Sequence, residues 1–390
     1  HTAGLAELIN LVLESCGLPA GSVAAEDIDE VDITQLLADL GDESVSSVGV
    51  DYPVLKRTRF RISLLDFFDK LVSHCKEDVL FDEYLIESLV EWLISLSSCN
   101  ARHFRHTATL ISLQLVSSHI SVAADLSTKL EISHTQVEQL QTTKNKNSDV
   151  KKKLVNLRKT VDLQHARVMQ LEAKMTEVFK GVFSHRYRDV VPEVRTACIQ
   201  SLGEWIRAYP SVFLADSYLK YIGWLLNDKV ATVRQAALGA LITIFETPDF
   251  VGQLTHFTER FRSRFVECTL DVDPSVAVAA IQLCVLLSRC DLLANEAAEE
   301  HVSTLYHAVC AADADIRSAA GRFVIEHYFS QFSDQSEESI ASTSTSSSKA
   351  RAGKKGKKHF TQLHVQLRAL LNFVLTHSLH PKVPEYTVDS

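Results

Sequence analysis

Residues 179–261 read FKGVFSHRYRDVVPEVRTACIQSLGEWIRAYPSVFLADSYLKYIGWLLNDKVATVRQAALGALITIFETPDFVGQLTHFTERF, and one short pattern occurs in them twice. Superposing Asp189, Val194 and Arg195 on Asp228, Val233 and Arg234 gives a spacing of 39 residues. Each copy continues as an apolar stripe, Ile199, Leu202 and Ile206 in the first and Ala237, Leu241 and Ile244 in the second, at helical spacing. A third copy opens at Asp271 with Val276 and Ala277, and a weaker fourth has Ile316 and Arg317, so offsets of 39, 43 and 40 persist through four units. A period of about 40 to 47 residues made of paired helices is the pattern of HEAT-type solenoids, where no repeat buries its apolar face without its neighbours. The fold expected is therefore all-α, a HEAT-repeat solenoid. In such repeats the Asp is expected to cap the second helix and the Arg to reach the neighbouring repeat's Asp, a structural role for Arg195 and Arg234.

The segments FSHRYRD (183–189), DSYLKYIGW (216–224) and RHFRHT (102–107), with Thr258 to Arg264, are more specific than the period. They resemble the stromalin, or stromal-antigen, family of cohesin subunits, and the likeness runs with gaps over nearly the whole chain. In that family a surface receives short peptides with paired aromatic residues. Tyr187, Arg188, Asp216, Lys220, Tyr221, Trp224, Arg260 and Phe261 match its positions. Spacing alone favours Tyr221 and Trp224, at i and i+3, as inter-helix core; the motif match turns the reading to an open docking surface. The resemblance further implies a kleisin subunit as partner, other cohesin regulators through the aromatic groove, contact with double-stranded DNA, and a nuclear, chromosome-associated place of action.

Composition bounds what else the chain could do. Its 390 residues are 46% hydrophobic, ample for a core, and no run of eighteen apolar residues or basic leader predicts a membrane or secretory segment. The start at HTAGLAELIN reads as that of a fragment cut at both ends. The eight cysteines form no CxxC pair and fall mostly on apolar helix faces, as reduced core residues do. His103 and His106 have i, i+3 spacing for a metal but no third ligand nearby, so they read as structural and no metal site is assigned. No phosphate-binding loop, nucleophile elbow or dinucleotide fingerprint is present, so no enzyme, cofactor or small-molecule substrate is expected.

The formal net charge of −9 is unevenly spread: residues 1–51 carry eleven acidic and no basic side chains, which leaves 40 basic against 38 acidic beyond them. Taken in order, the chain divides into an acidic helical segment (1–53), helical repeats (54–118), a hairpin (119–178), the HEAT repeats (179–332), a Ser/Lys-rich flexible loop (333–358) and the start of further helices (359–390). Lys56, Arg57, Arg59 and Arg61 open a helix whose other face is Phe60, Leu64, Phe67 and Phe68. Leu126, Leu130, Ser133, Val137 and Leu140, then Val150, Leu154, Leu157, Val161, Gln164, Val168, Leu171, Met175 and Val178, keep alternating steps of three and four. Such spacing is coiled-coil packing, and the turn-forming KNKNSD between the halves makes the pair an antiparallel hairpin with Lys144, Lys146, Lys151, Lys152 and Lys153 at its tip. The loop ends in another basic run that includes Lys354, Lys355, Lys357 and Lys358.

Each basic group reads either as a solvated face or as a phosphate contact, and the resemblance favours contact with duplex DNA. Without a helix-turn-helix, zinc-finger or RNP signature, that contact is expected to be indifferent to sequence. The hairpin is less basic and the first segment more acidic than the family usually has, and Ser133 and Gln164 soften the seam; these departures are compatible with weaker DNA binding or a specialised, for example meiotic, paralogue. The competing reading is a HEAT scaffold that handles protein partners only.

Overall fold

The computed structural model describes residues 2–26, 28, 33, 35–37, 39–40, 51–82, 84–142, 148–293 and 305–329. The hairpin turn with Lys144 and Lys146, most of 27–50, the basic loop with Lys354, Lys355, Lys357 and Lys358, and the helix expected from His359 lie outside these residues. No strand occurs among those described, and the solenoid expected from the period is the fold found. Two compact units divide the chain, residues 1–212 and 213–390.

In the first unit the helices are α1 (Thr2–Ser15), α2 (Thr58–Cys75), α3 (Leu85–Ser98), α4 (Arg102–Thr142), α5 (Ser148–Val178) and α6 (Pro192–Ala208). The centre is α4, which packs against α1, α2, α3 and α6 and pairs with α5. At 41 residues it is roughly 60 Å long. The sequence suggests a break near Ser117, but the helix runs through it without interruption. The polar residues there are placed rather than exposed: Ser117 accepts a hydrogen bond from Trp205 Nε1 at 2.9 Å, and Ser118 donates one to Asp69 at 2.6 Å. The window that makes α4 apolar enough to cross a bilayer is 72% buried in this unit, so its apolarity belongs to the core.

Beyond Leu126, α4 continues against α5, and the expected seam is found. Ser133, Val137, Val161, Val168, Leu171 and Met175 are buried, while Leu140, Leu154 and Leu157 near the tip are half-buried. Two helices alone cover one stripe each, so burial fades toward the end that has no third partner among the described residues.

In the second unit α7 (Asp216–Leu225), α8 (Ala231–Phe245), α9 (Val251–Glu267), α10 (Pro274–Arg289) and α11 (Ala314–Phe323) form the repeats. The second helices α8, α10 and α11 stack in succession, with α7 and α9 against them. Leu238, Leu241, Ile244, Ile281, Cys284, Leu287 and Phe323 fill the space between layers. All eight cysteines are free, and burial raises the thiols of Cys16 and Cys284 to about 12 and of Cys268 to about 11.

An arginine marks four of the repeat helices, while the third copy of the pattern has Ala277 in its place. Arg105 Nη1 donates to Cys99 O and Asn100 O, Arg195 Nη1 to Asp189 O and Val190 O, Arg234 Nη1 to Asp228 O, and Arg317 Nη1 to Ala311 O and Ala312 O. In every case the carbonyls lie six or five residues before the arginine, so the guanidinium fastens the turn that precedes its own helix. Arg234 also forks onto Asp271 of the following repeat, with both bonds at 2.7 Å.

The expected capping role of the aspartates is corrected by this geometry. Asp189 and Asp228 accept from the N–H groups of Val191 and Val230, two residues on, and the caps are those valines, whose side chains make no cap bond. In the first of these helices Pro192 stands at the opening position and presents no N–H to satisfy. True side-chain caps come later, at Asp273 and Asp313, each accepting from the two N–H groups at i+2 and i+3.

Candidate functional site

The aromatic cluster in the second unit follows from the two-sidedness of α7. Leu219, Ile222, Leu225 and Leu226 are buried, which turns Lys220, Tyr221 and Trp224 away from the core. Tyr221 and Trp224 meet edge to face, with centroids 5.4 Å apart and planes at 75°. The Lys220 ammonium lies 5.2 Å from one ring centre and 5.6 Å from the other, a cation held over two π faces. Trp224 is 41% exposed and Tyr221 half-buried, so neither ring is sealed in the interior.

From α9, half-buried Phe261 comes up beside this group and Arg260, exposed, lies 5.4 Å over its ring. A Cβ at position 223 would run into the Phe261 ring, so glycine is what lets α7 and α9 approach so closely. Asp216 at the start of α7 accepts from, or pairs with, His256 Nδ1 of α9 at 2.8 Å. Six of the eight peptide-site residues expected from the sequence, Asp216, Lys220, Tyr221, Trp224, Arg260 and Phe261, thus belong to α7 and α9. Tyr187, half-buried and stacked on Phe183, and Arg188, exposed, belong to the first unit.

His256 and Gly223 belong to this cluster and sequence reading passed over them; the glycine inside DSYLKYIGW was the available signal. The alternation of Arg260, Arg262 and Arg264 with phenylalanines also misleads. Arg262 donates to Leu292 O at 2.9 Å and Arg264 to Leu226 O at 2.8 Å, so two of the three fasten backbone and Arg260 alone is left on the cluster.

The basic groups among the described residues belong to the first unit. Tyr52 is buried and its hydroxyl meets His106 Nδ1 at 2.6 Å, which anchors the chain just before the short helix Pro53–Lys56. Burial then holds His106 neutral, its pKa lowered to about 4, with the Arg102 charge adding to the effect. This bond uses the imidazole that a metal would need, and no metal-binding group of side chains exists among the described residues. From the anchor the chain presents Lys56, Arg57 and Arg59 as exposed and Arg61 as half-buried. Lys56 is paired with Asp51 at 2.7 Å, so part of the charge on this group is already spent.

Lys151, Lys152 and Lys153 are exposed in the opening turns of α5, where Asp149 is the acidic residue of the first turn. Positive charge at a helix N-terminus opposes the macrodipole. Helix stability therefore does not account for three lysines there, and Arg158 and Lys159, also exposed, extend the run.

The RHFRHT motif is structural throughout. Beyond His106, Arg105 donates from Nε to Asp189 at 2.8 Å, and Arg186 adds a second guanidinium at 2.8 Å. Burial disfavours the Asp189 charge, yet hydrogen bonds from Arg105 and the Val191 N–H, with both guanidinium charges, hold its carboxyl below the usual range.

Family models match two parts of the chain, a STAG domain over residues 50–160 and a stromalin conservative domain over residues 188–262. The chain is 37% identical over 328 residues to sister-chromatid cohesion protein 3 of Arabidopsis thaliana, covering 83% of this chain and 29% of that protein. It is 34% identical to human cohesin subunit SA-3, with 83% and 26% covered, and 33% identical to cohesin subunit psc3 of Schizosaccharomyces pombe, with 76% and 31% covered. The chain thus spans about a third or less of the length of these relatives. Among solved structures, the cohesin subunit Scc3 from Z. rouxii aligns over 98% of this chain and 44% of that chain with a TM-score of 0.77 at 20% identity, a likeness of fold.

Proposed function

The chain belongs to the stromalin family, and from that premise we propose that it is a non-catalytic subunit of cohesin, acting in sister-chromatid cohesion on chromosomes in the nucleus. In this reading it binds a kleisin subunit, duplex DNA without regard to sequence, and short regulatory peptides that carry paired aromatic residues. The observation that carries the peptide role is the pair of exposed Trp224 and half-buried Tyr221 with Lys220 over both rings. Rigid rings with a polar edge, flanked by a cation and by Arg260, have the composition that dominates binding energy at interfaces. The lysines of α5 support the DNA role, since their charge serves no contact within the helix that bears them.

Two titrations test the proposal. A peptide with two aromatic residues, bound to the intact chain, should lose at least tenfold in affinity with Trp224→Ala; unchanged affinity would remove the cluster from the site. Gel shifts with unrelated duplexes should weaken alike when Lys151, Lys152 and Lys153 are changed to Glu, with the salt slope falling by about 3 if each lysine meets one phosphate. A slope near zero in the unaltered chain would favour a scaffold that handles proteins only. Co-purification of a kleisin with the chain addresses the complex itself.

A further inference from the structure

We propose that the groove at the base of the hairpin is a docking site for an amphipathic α-helix of a partner protein, one that carries lysine or arginine beside its apolar stripe. The argument starts from α5, which has two apolar faces. Its seam is buried against α4, but on the far side Ala166, Met169 and Ala173 follow one another at steps of three and four and are all exposed, Met169 by 58%. A helix that packs on one side only has no need of this second stripe. Opposite it stands Ile94 of α3, and between the two helices lies an open groove of about 760 Å³.

The end of the groove is shaped by the wide turn Phe179–Phe183 that follows α5. Within it, a Cβ on Gly181 would lie 2.7 Å from Ile94 Cδ1, so the glycine is what allows this turn to close against α3. The rim is charged. Glu87 and Glu172 are engaged, by Lys174 at 3.0 Å and by the Tyr209 hydroxyl at 2.9 Å. Glu177 on the rim and Glu91, one turn before Ile94, are exposed and enter no ion pair among the described residues. Lys180 is the cation of the lining. The lining sets two carboxylates, Glu172 and Glu177, against one ammonium, Lys180, around the apolar Ile94, Met169 and Ala173, which selects a cationic amphipathic occupant. The groove is bounded by α3 on one side and by the turn at its end.

The probe is a synthetic helix-forming peptide with leucines at i, i+3, i+4 and i+7, flanking lysines and a benzophenone group; its partner peptide has every lysine replaced by glutamate. With the intact chain, the basic peptide should bind and cross-link within residues 169–181 or beside Ile94. Met169→Glu, and separately Ala173→Glu, should each weaken it at least tenfold while the melting curve is unchanged. Glu177→Lys should weaken the basic peptide and strengthen the acidic one. Equal binding of both peptides by the unaltered chain, cross-links elsewhere, or indifference to both groove substitutions would overturn the proposal. So would a concentration-dependent dimer of the peptide-free chain, seen by sedimentation, that Met169→Glu abolishes, because it would give the groove to a second copy.

Discussion

The turn at Asp189 and the outer half of the hairpin use charge in opposite ways. At Asp189 the carboxylate is 5% exposed and every strong partner is internal: Arg105, Arg186 and the Val191 N–H. On the outer hairpin Lys151, Lys152 and Lys153 are exposed and set where the helix dipole disfavours them. Buried, satisfied charge specifies how the chain folds, and its removal leaves partners stranded. Exposed, unfavourably placed charge contributes nothing to folding and is free to meet a polyanion.

Four measurements break or sharpen that contrast. The largest effect is expected from Asp189→Ala, which strands two guanidinium groups; unfolding of the first unit should become easier by about 3 to 5 kcal/mol, read from the denaturant midpoint. A loss below 1 kcal/mol would mean that this cluster is not what fixes the turn.

Next in size is acid sensitivity. His119 is fully buried on α4 with neither ring nitrogen hydrogen-bonded among the described residues, and burial, with the Lys174 charge, lowers its pKa to about 4, as burial does for His106. A histidine whose folded pKa lies below its unfolded value takes up a proton on unfolding. Its stabilising effect is present above about pH 6.5 and is lost progressively as pH falls toward 4, by on the order of 3 kcal/mol for each of the two. Thermal melts at pH 7 and pH 4.5 should therefore differ strongly in the unaltered chain, and His119→Leu should reduce that difference by roughly half. An undiminished difference would exclude His119 as a source.

A smaller gain is expected from Gln164→Leu. The Gln164 side chain sits in the seam with Oε1 buried and unpaired among the described residues, and removing that polar atom should stabilise the hairpin by about 1 kcal/mol. Smallest of all is the change from Lys151, Lys152 and Lys153 to Glu, which should leave stability within about 0.5 kcal/mol, or raise it slightly by complementing the dipole. A large loss there would show the lysines to be structural and would dissolve the contrast with Asp189.

Much of this was legible from residue spacing. The 39-residue period gave the repeats, and the three-four steps gave the hairpin seam in the register found. The uninterrupted α4 was not legible, because Ser117 and Ser118 look like a break until Trp205 and Asp69 supply their partners from distant parts of the chain. Nor was Arg105 recognisable as a repeat arginine, since the hairpin separates it from Arg195 by 90 residues and hides the period. In the aromatic cluster the sequence named the rings, but it could not say which of Arg260, Arg262 and Arg264 would be consumed by backbone carbonyls; that depends on where Leu226 and Leu292 come to lie.

The unbroken course of α4 has a mechanical consequence. It begins at the Tyr52–His106 bond and the Arg105–Asp189 pair and continues as one rod into the arm that carries the lysines. A load applied at the far end is therefore carried along one continuous helix to α1, α2, α3 and α6, which pack on it, with no joint between arm and core to absorb it.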